Sequence, residues 1–402
     1  MYNVQYLKNF GISMIENNKK KIIYFSTPAF GHINAEYPVI SKLIENGYSV
    51  DWYCSKKYKN FVEETGANYR EYKIDFDKYN LSDITANFYN LFENLLTLNR
   101  DSYLLYIDEI KKEKPDLILY DSMCSFAKNI SKKLNVKSIC LSGLMAYNFW
   151  TFIFSHMFVS TMKLFFSNLY SIIKLYKDEQ KFRIYNGLGK FNLFDLFVNK
   201  GDLTLVFSPK ECQPFYRTFD KSFIFVGTTI KDRLKKSNKK YGKYDIYVSL
   251  GTIFTENNEL LNNIINNELL KGKHTIISVG NLQMNNLPDI EFVQSTDQLA
   301  LLSQLDLFIN HGGLCSVYES IYFGVFQICI PQQEEHRLTA QMVKKRKIGM
   351  YVEDINKLDV KKLEKFRKKN IDKLKKYQTI IKSYDGSHLA FEKIEEILKT
   401  SA

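Results

Sequence analysis

IIYFSTPAFGHINAEYPVISKLIENGYSVDWYC, residues 22–54, reads as strand, helix, strand. IIYFST (22–27) is a short β-prone apolar run, EYPVISKLIEN (36–46) has helical spacing, and YSVDWYC (48–54) returns to a strand. A strand, a crossover helix and a second strand predict a parallel sheet with helices packed on its faces. The same alternation continues outward. ANYREYK (67–73) is a weaker third strand, residues 84–113 are a long helical region, and DLILYD (116–121) is the next clear strand. SFAKNISKKL, VKSICLS, LTLVFS (203–208) and FIFVG (223–227) complete the first half.

A basic run, IKDRLKKSNKKYGKY (230–244), has six lysines and no periodic apolar face, and it reads as a linker. The alternation then restarts with IYVSLGT, ELLNNIINNELL, HTIISVG, IEFVQS, TDQLALLSQ, LDLFIN, HGG opening a helix through SVYESIYF, and FQICIP. The expected fold class is therefore α/β, with two Rossmann-like doubly wound domains facing a central cleft. Residues 1–225 form the first domain, 226–244 the linker and 245–380 the second domain. Residues 381–402 are expected as a C-terminal helix packing back on the first domain. A chain of 402 residues fits two cores better than one.

Composition excludes several classes of function. Hydrophobic residues at 45% and charged residues at 25% argue against extensive disorder. The net charge of +12 is spread along a chain rich in Lys, Asn, Ile and Tyr, so it does not mark a nucleic-acid partner. KKLEKFRKKNIDKLKKYQ, in the charged helical tail, likewise reads as a solvated face. The six cysteines have no C-x-x-C or zinc-like spacing, which points to a reducing, cytoplasmic setting. The first twenty residues lack a signal-peptide core. Ser138–Met162 is apolar enough to raise a membrane span, but it reads better as a strand followed by an aromatic helix that lines a pocket.

In doubly wound sheets, ligands bind where the strand order reverses, between the first and fourth strands in the common order. The first domain's opening strand leads into TPAFGHIN and delivers His32; its fourth ends in LILYD and delivers Asp121. An imidazole oriented by a carboxylate is suited to taking a proton from an alcohol. Equally, His32 and Asp121 are placed to cap the helices that follow them. In the second domain, VSLGT brings Thr252 to the corresponding crevice, and FINHGG brings His311, Gly312 and Gly313. Glycines before a helix N-terminus let backbone N–H groups approach a diphosphate, and Ser316 can add a hydroxyl. Glu319 shares the Ser316 face and is suited to a ribose. A tight turn and a solvated glutamate are the plain alternatives. Asp75-Phe76-Asp77 resembles a metal-binding D-x-D but lies in a polar stretch of the first domain and reads as surface.

GHIN, LILYDSMC, QPFYRTFDKSFIFVG, VSLGT, DLFINHGGLCSVYES and PQQEEH together resemble the bacterial macrolide-type UDP-glycosyltransferases, over residues 21–350. The resemblance implies a GT-B fold and an inverting transfer of a hexose from a UDP-sugar or other nucleoside-diphosphate sugar to a hydroxyl of a small apolar or aromatic acceptor. It implies no metal and no cofactor beyond the UDP-sugar co-substrate, with the acceptor in the N-terminal domain and the donor in the C-terminal one. By matching positions it implies His32 as base, Asp121 as its partner, Gln298 as a base or ribose contact, His311 and Ser316 as phosphate ligands, Glu319 as the ribose ligand and Glu335 as a sugar ligand. His336 stands where the family carries Gln beside that acid, and Cys315, Asp297 and Ser295 also depart from the pattern. Three alternatives remain at this stage: a membrane-surface lipid glycosyltransferase with weak peripheral membrane contact, a non-catalytic partner protein that binds nucleotide-sugar, and a nucleotide-sugar epimerase, which shares this architecture and needs no acceptor. Sequence leaves the oligomeric state open.

Overall fold

In the computed structural model of the chain, the described residues are 19–79, 88–154, 158, 162, 167–192, 199–251 and 258–400. The first sheet contains β1 (Lys21–Phe25), β2 (Ser49–Cys54), β3 (Asn68–Glu71), β4 (Leu117–Asp121), β5 (Ser138–Ser142), β6 (Leu203–Val206) and β7 (Phe223–Phe225), in the order β3-β2-β1-β4-β5-β6-β7. The second contains β8 (Ile246–Ser249), β9 (Thr275–Ser278), β10 (Ile290–Val293), β11 (Leu307–Asn310), β12 (Phe326–Cys329) and β13 (Gly349–Tyr351), in the order β10-β9-β8-β11-β12-β13. Every pairing in both sheets is parallel. Strand order reverses between β1 and β4 in one sheet and between β8 and β11 in the other. These are the two crevices the alternation anticipates.

β1 is buried on both faces, which is why it reads as a continuous apolar run. Its Ile22 and Tyr24 pack with Ile33, Val39, Ile40 and Leu43 of the first helix, whereas Ile23 and Phe25 face Tyr103, Tyr106 and Phe126. A slip of one residue would exchange these two sets between cores, so the register is strongly specified.

The first helix spans Phe30–Glu45, beginning well before the expected Glu36. Pro38 suggests a later start, because proline favours the first turn. In the structure the Ala29 carbonyl already accepts from the N–H groups of His32 and Ile33, both at 3.1 Å. His32 is thus a first-turn helical residue rather than part of a loop after β1.

Two further expectations change, and a third is described only in part. The basic linker contains a short helix, Ile230–Leu234, whose Ile230 and Arg233 are buried. Its lysine content conceals two residues that face inward. The aromatic helix is described only over Phe149–Ile153, opened by an Asn148/Thr151 capping box, while much of 155–166 lies outside the described residues. The charged C-terminal region also contributes β13, where a Cβ on Gly349 would lie 2.6 Å from the Gln327 carbonyl oxygen. Among the described residues, no helix is long and apolar enough to cross a membrane.

The chain ends in two helices, Val360–Ser383 and Gly386–Thr400. Ala390, Phe391, Ile394 and Leu398 of the last one enter the core of the first sheet. Its start is tied to the inter-sheet segment by a bond from Gly386 N–H to the Thr228 carbonyl at 3.1 Å. A Cβ at 386 would meet the Gly227 carbonyl oxygen at 2.5 Å, so the close approach requires glycine.

Candidate active site

The register aligns Phe25 of β1 with Tyr120 of β4, so both strands end at the same level. Asp121 is the last residue of β4 and fully buried; His32 is 14% exposed, in the first turn of the helix after β1. His32 Nδ1 lies 2.6 Å from Asp121 Oδ2. Two further donors reach the other carboxylate oxygen: the Thr27 hydroxyl and the Met123 N–H, the latter at 2.8 Å. Burial pushes the Asp121 carboxyl upward, but the His32 imidazole, with further hydrogen bonds from Glu36 and Thr27, holds it below its ordinary value. Asp121 is therefore an ionised, hydrogen-bonded partner for the ring, not merely a helix cap.

Glu36, one helical turn beyond His32, faces the same carboxylate. It is completely buried, accepts from the Tyr24 hydroxyl, and lies within hydrogen-bonding reach of Asp121. Burial and the neighbouring Asp121 raise its carboxyl well above the ordinary range. Sequence reading missed Glu36; its spacing of four from a candidate base was the available signal. Donor atoms of His32, Glu36 and Asp121 all lie within 4.8 Å of one another, a spacing that admits a cation.

In the second domain, Gln298 opens a short helix and Ser316 lies in the first turn of Leu314–Phe323. Gln298 Nε2 donates to Ser316 Oγ at 3.2 Å and to Glu319 Oε2, while the Tyr247 hydroxyl reaches Gln298 Oε1 at 3.4 Å. Glu319 is also ion-paired with Arg233 from the inter-sheet segment. The glutamate is thus buried and held from two sides, and its plain reading as a solvated helix residue is overturned. Arg233 is a second residue missed from sequence, because nothing in a lysine-rich run distinguishes an inward-facing cation.

His311 and His336 meet edge to face, with ring centroids 4.5 Å apart. The HGG glycines make room for the His311 ring and the His336 backbone. A Cβ at Gly313 would lie 2.3 Å from His311 Nε2, and one at Gly312 would lie 2.9 Å from the His336 carbonyl oxygen. Gly313 is also the N-cap of the Leu314–Phe323 helix and supplies no side-chain cap, so the helix terminus presents its backbone donors to the cleft. Thr252 lies outside the described residues, as does the side chain of Glu335 on helix Glu334–Arg346. Asp75 is exposed on the surface, and the Asp77 side chain lies outside the described residues.

The two halves touch at this point. Cys315 Sγ donates to the Gly31 carbonyl at 3.3 Å, placing the start of one helix against the residue before His32. Thr229 Oγ1 binds the Ala35 carbonyl at 2.8 Å beside it. An imidazole–carboxylate pair in one domain therefore borders a helix N-terminus, a buried glutamate and paired histidines in the other.

Two doubly wound parallel domains meeting at their switch points, with an imidazole–carboxylate pair on one side and an uncapped helix N-terminus on the other, are those of a GT-B nucleoside-diphosphate-sugar glycosyltransferase. The family model of UDP-glucoronosyl and UDP-glucosyl transferases matches residues 239–381. It is similar to the NDP-glycosyltransferase YjiC of Bacillus licheniformis, 27% identical across 94% of this chain and 98% of the relative. The NDP-glycosyltransferase YjiC of Bacillus subtilis is 28% identical across 98% of this chain and 99% of the relative. Among solved structures, the glycotransferase of kitacinnamycin superposes with a TM-score of 0.79 at 20% identity, covering 94% of this chain and 99% of that one, and shares the fold.

Proposed function

We propose that this glycosyltransferase moves a hexose from a UDP-sugar to a hydroxyl of a small apolar or aromatic acceptor, with inversion and without a metal. The observation that carries the reading is the 2.6 Å contact between His32 Nδ1 and Asp121 Oδ2 beside the Leu314–Phe323 helix terminus. With Nδ1 committed to the carboxylate, Nε2 takes the acceptor proton as the acceptor oxygen attacks the anomeric carbon. Asp121 fixes the tautomer and stabilises the imidazolium that results. The nucleoside diphosphate leaves from the opposite face of the sugar. Its developing charge is met by the helix N-terminus and by His311 and Ser316, with Thr252 expected to contribute.

Metal independence is supported by that second source of charge stabilisation, and by the engagement of Asp121 with three donors at once. Gln298 and Glu319 are assigned to the nucleoside, and Glu335 and His336 to the sugar. Exposed Phe149, Trp150, Phe154 and Phe215, with Trp150 stacked on Phe154 and Phe154 on Phe215, offer an aromatic wall to the acceptor. The test is mass spectrometry of products from a panel of nucleotide-sugars and phenolic or macrolide acceptors, with the anomeric configuration of each product determined. Retention of configuration, or activity abolished by chelator, would refute the corresponding part of the reading.

A further inference from the structure

Three carboxyl and imidazole groups share the floor of the first crevice, but the proposed reaction uses only two of them. The third is Glu36. It projects from the same helix face as His32 and is fully buried, as is Tyr24, whose hydroxyl bonds to Glu36 Oε2. Its other oxygen, Oε1, accepts from no protein donor. The titratable groups around it are Tyr24 from β1, Asp121 from β4, His32 from its own helix, Cys315 from the opposite domain, and more remotely Cys124 and Cys140. Apart from the imidazole, which already faces Asp121, none of these can supply a positive charge.

Two adjacent buried carboxylates cannot both remain ionised without a cation between them. Asp121 has three donors, whereas Glu36 has one. The proton therefore resides on Glu36, whose carboxyl lies within hydrogen-bonding reach of Asp121 and can donate to it. We propose that Glu36 is a permanently neutral carboxylic acid that props Asp121 from beneath, and so acts as a positioning residue for the His32 ring. The inference rests on the reading of His32 as base. It adds a relay of Tyr24, Glu36, Asp121 and His32 in which only the last two change their bonding during transfer. The raised carboxyl of Glu36 and the lowered one of Asp121 agree with this order of protons.

Glutamine reproduces a protonated glutamate, with one acceptor for Tyr24 and a donor for Asp121. In the full chain, with UDP-glucose as the donor probe and an acceptor from the panel, Glu36→Ala should lower kcat by about 10- to 100-fold with KM little changed. Glu36→Gln should restore kcat to within about threefold of the parent. A readout independent of activity comes from denaturant unfolding between about pH 5 and about pH 8. A raised native carboxyl costs stability as pH climbs above the unfolded value of about 4.3, so the advantage of Glu36→Gln over the parent should widen with pH.

A pH-independent difference between Gln and parent, or a Gln variant as impaired as Ala, would overturn the neutral acid. Full activity in Glu36→Ala would overturn the positioning role. If Glu36→Ala does not fold, the Gln comparison and Tyr24→Phe, which removes the hydroxyl donor and should lower kcat while sparing KM, still decide; unchanged kcat in Tyr24→Phe counts against the relay. His32→Ala separates the two levels: transfer that survives this change refutes the base reading, while the unfolding series still reports the proton on Glu36.

Discussion

Arg233 forms a buried ion pair with Glu319, joining the segment between the sheets to the helix that opens beside the second crevice; their side chains are 5% and 3% exposed. The pair makes Glu319 both a structural and a candidate binding residue. Removing one partner leaves the other charge buried and uncompensated, which typically costs about 3–5 kcal/mol. Glu319→Ala should therefore lose stability on that scale in denaturant titration, together with UDP binding by calorimetry. Arg233→Met combined with Glu319→Leu should recover most of the stability without recovering UDP binding. Unchanged UDP affinity in Glu319→Ala would remove this residue from the donor site.

The base assignment separates chemistry from donor binding, because His32 and the donor helix belong to different sheets. His32→Ala should lower kcat by about 10²- to 10⁴-fold, and Asp121→Asn should do so by disturbing the tautomer and ring orientation. Calorimetric UDP affinity should stay within about threefold in both variants. An equal loss of turnover and UDP binding would contradict the division of labour.

Gly313 has ordinary extended backbone angles, so alanine there meets no conformational barrier. The obstacle is steric, since the added carbon falls 2.3 Å from His311 Nε2. Gly313→Ala should push the ring from its contact with His336 and weaken UDP affinity by about tenfold, with a stability loss of about 1–3 kcal/mol from overpacking. Calorimetry and thermal unfolding on the same sample check both effects.

Asp51 offers a test of pH dependence away from the crevice. Burial pushes its carboxyl up, but hydrogen bonds from Asn68 and Arg70, with the charges of Arg70 and Lys21, bring it below the ordinary value. A lowered native carboxyl contributes stability that is fully present above the unfolded value of about 3.9 and is lost as pH falls through the native one. The parent should thus exceed Asp51→Asn in stability most clearly near neutrality, with the gap closing in acid. Urea midpoints across an acid-to-neutral series measure it, and a constant gap would contradict the assignment.

Local signals in the sequence determined the strands, the two doubly wound halves and the crevices between β1 and β4 and between β8 and β11. Apolar runs, helical spacing and glycine turns act over a few residues, so the order of the chain carries them directly. His32, Asp121 and the HGG turn were readable because strand ends have a known relation to switch points. Tertiary structure alone decided that Arg233, from an apparent linker, holds Glu319, that His336 packs against His311, and that Tyr24 and Asp121 enclose Glu36. Each depends on packing between elements remote in the chain, where burial fixes partners and protonation, and no periodicity of the sequence encodes such a meeting.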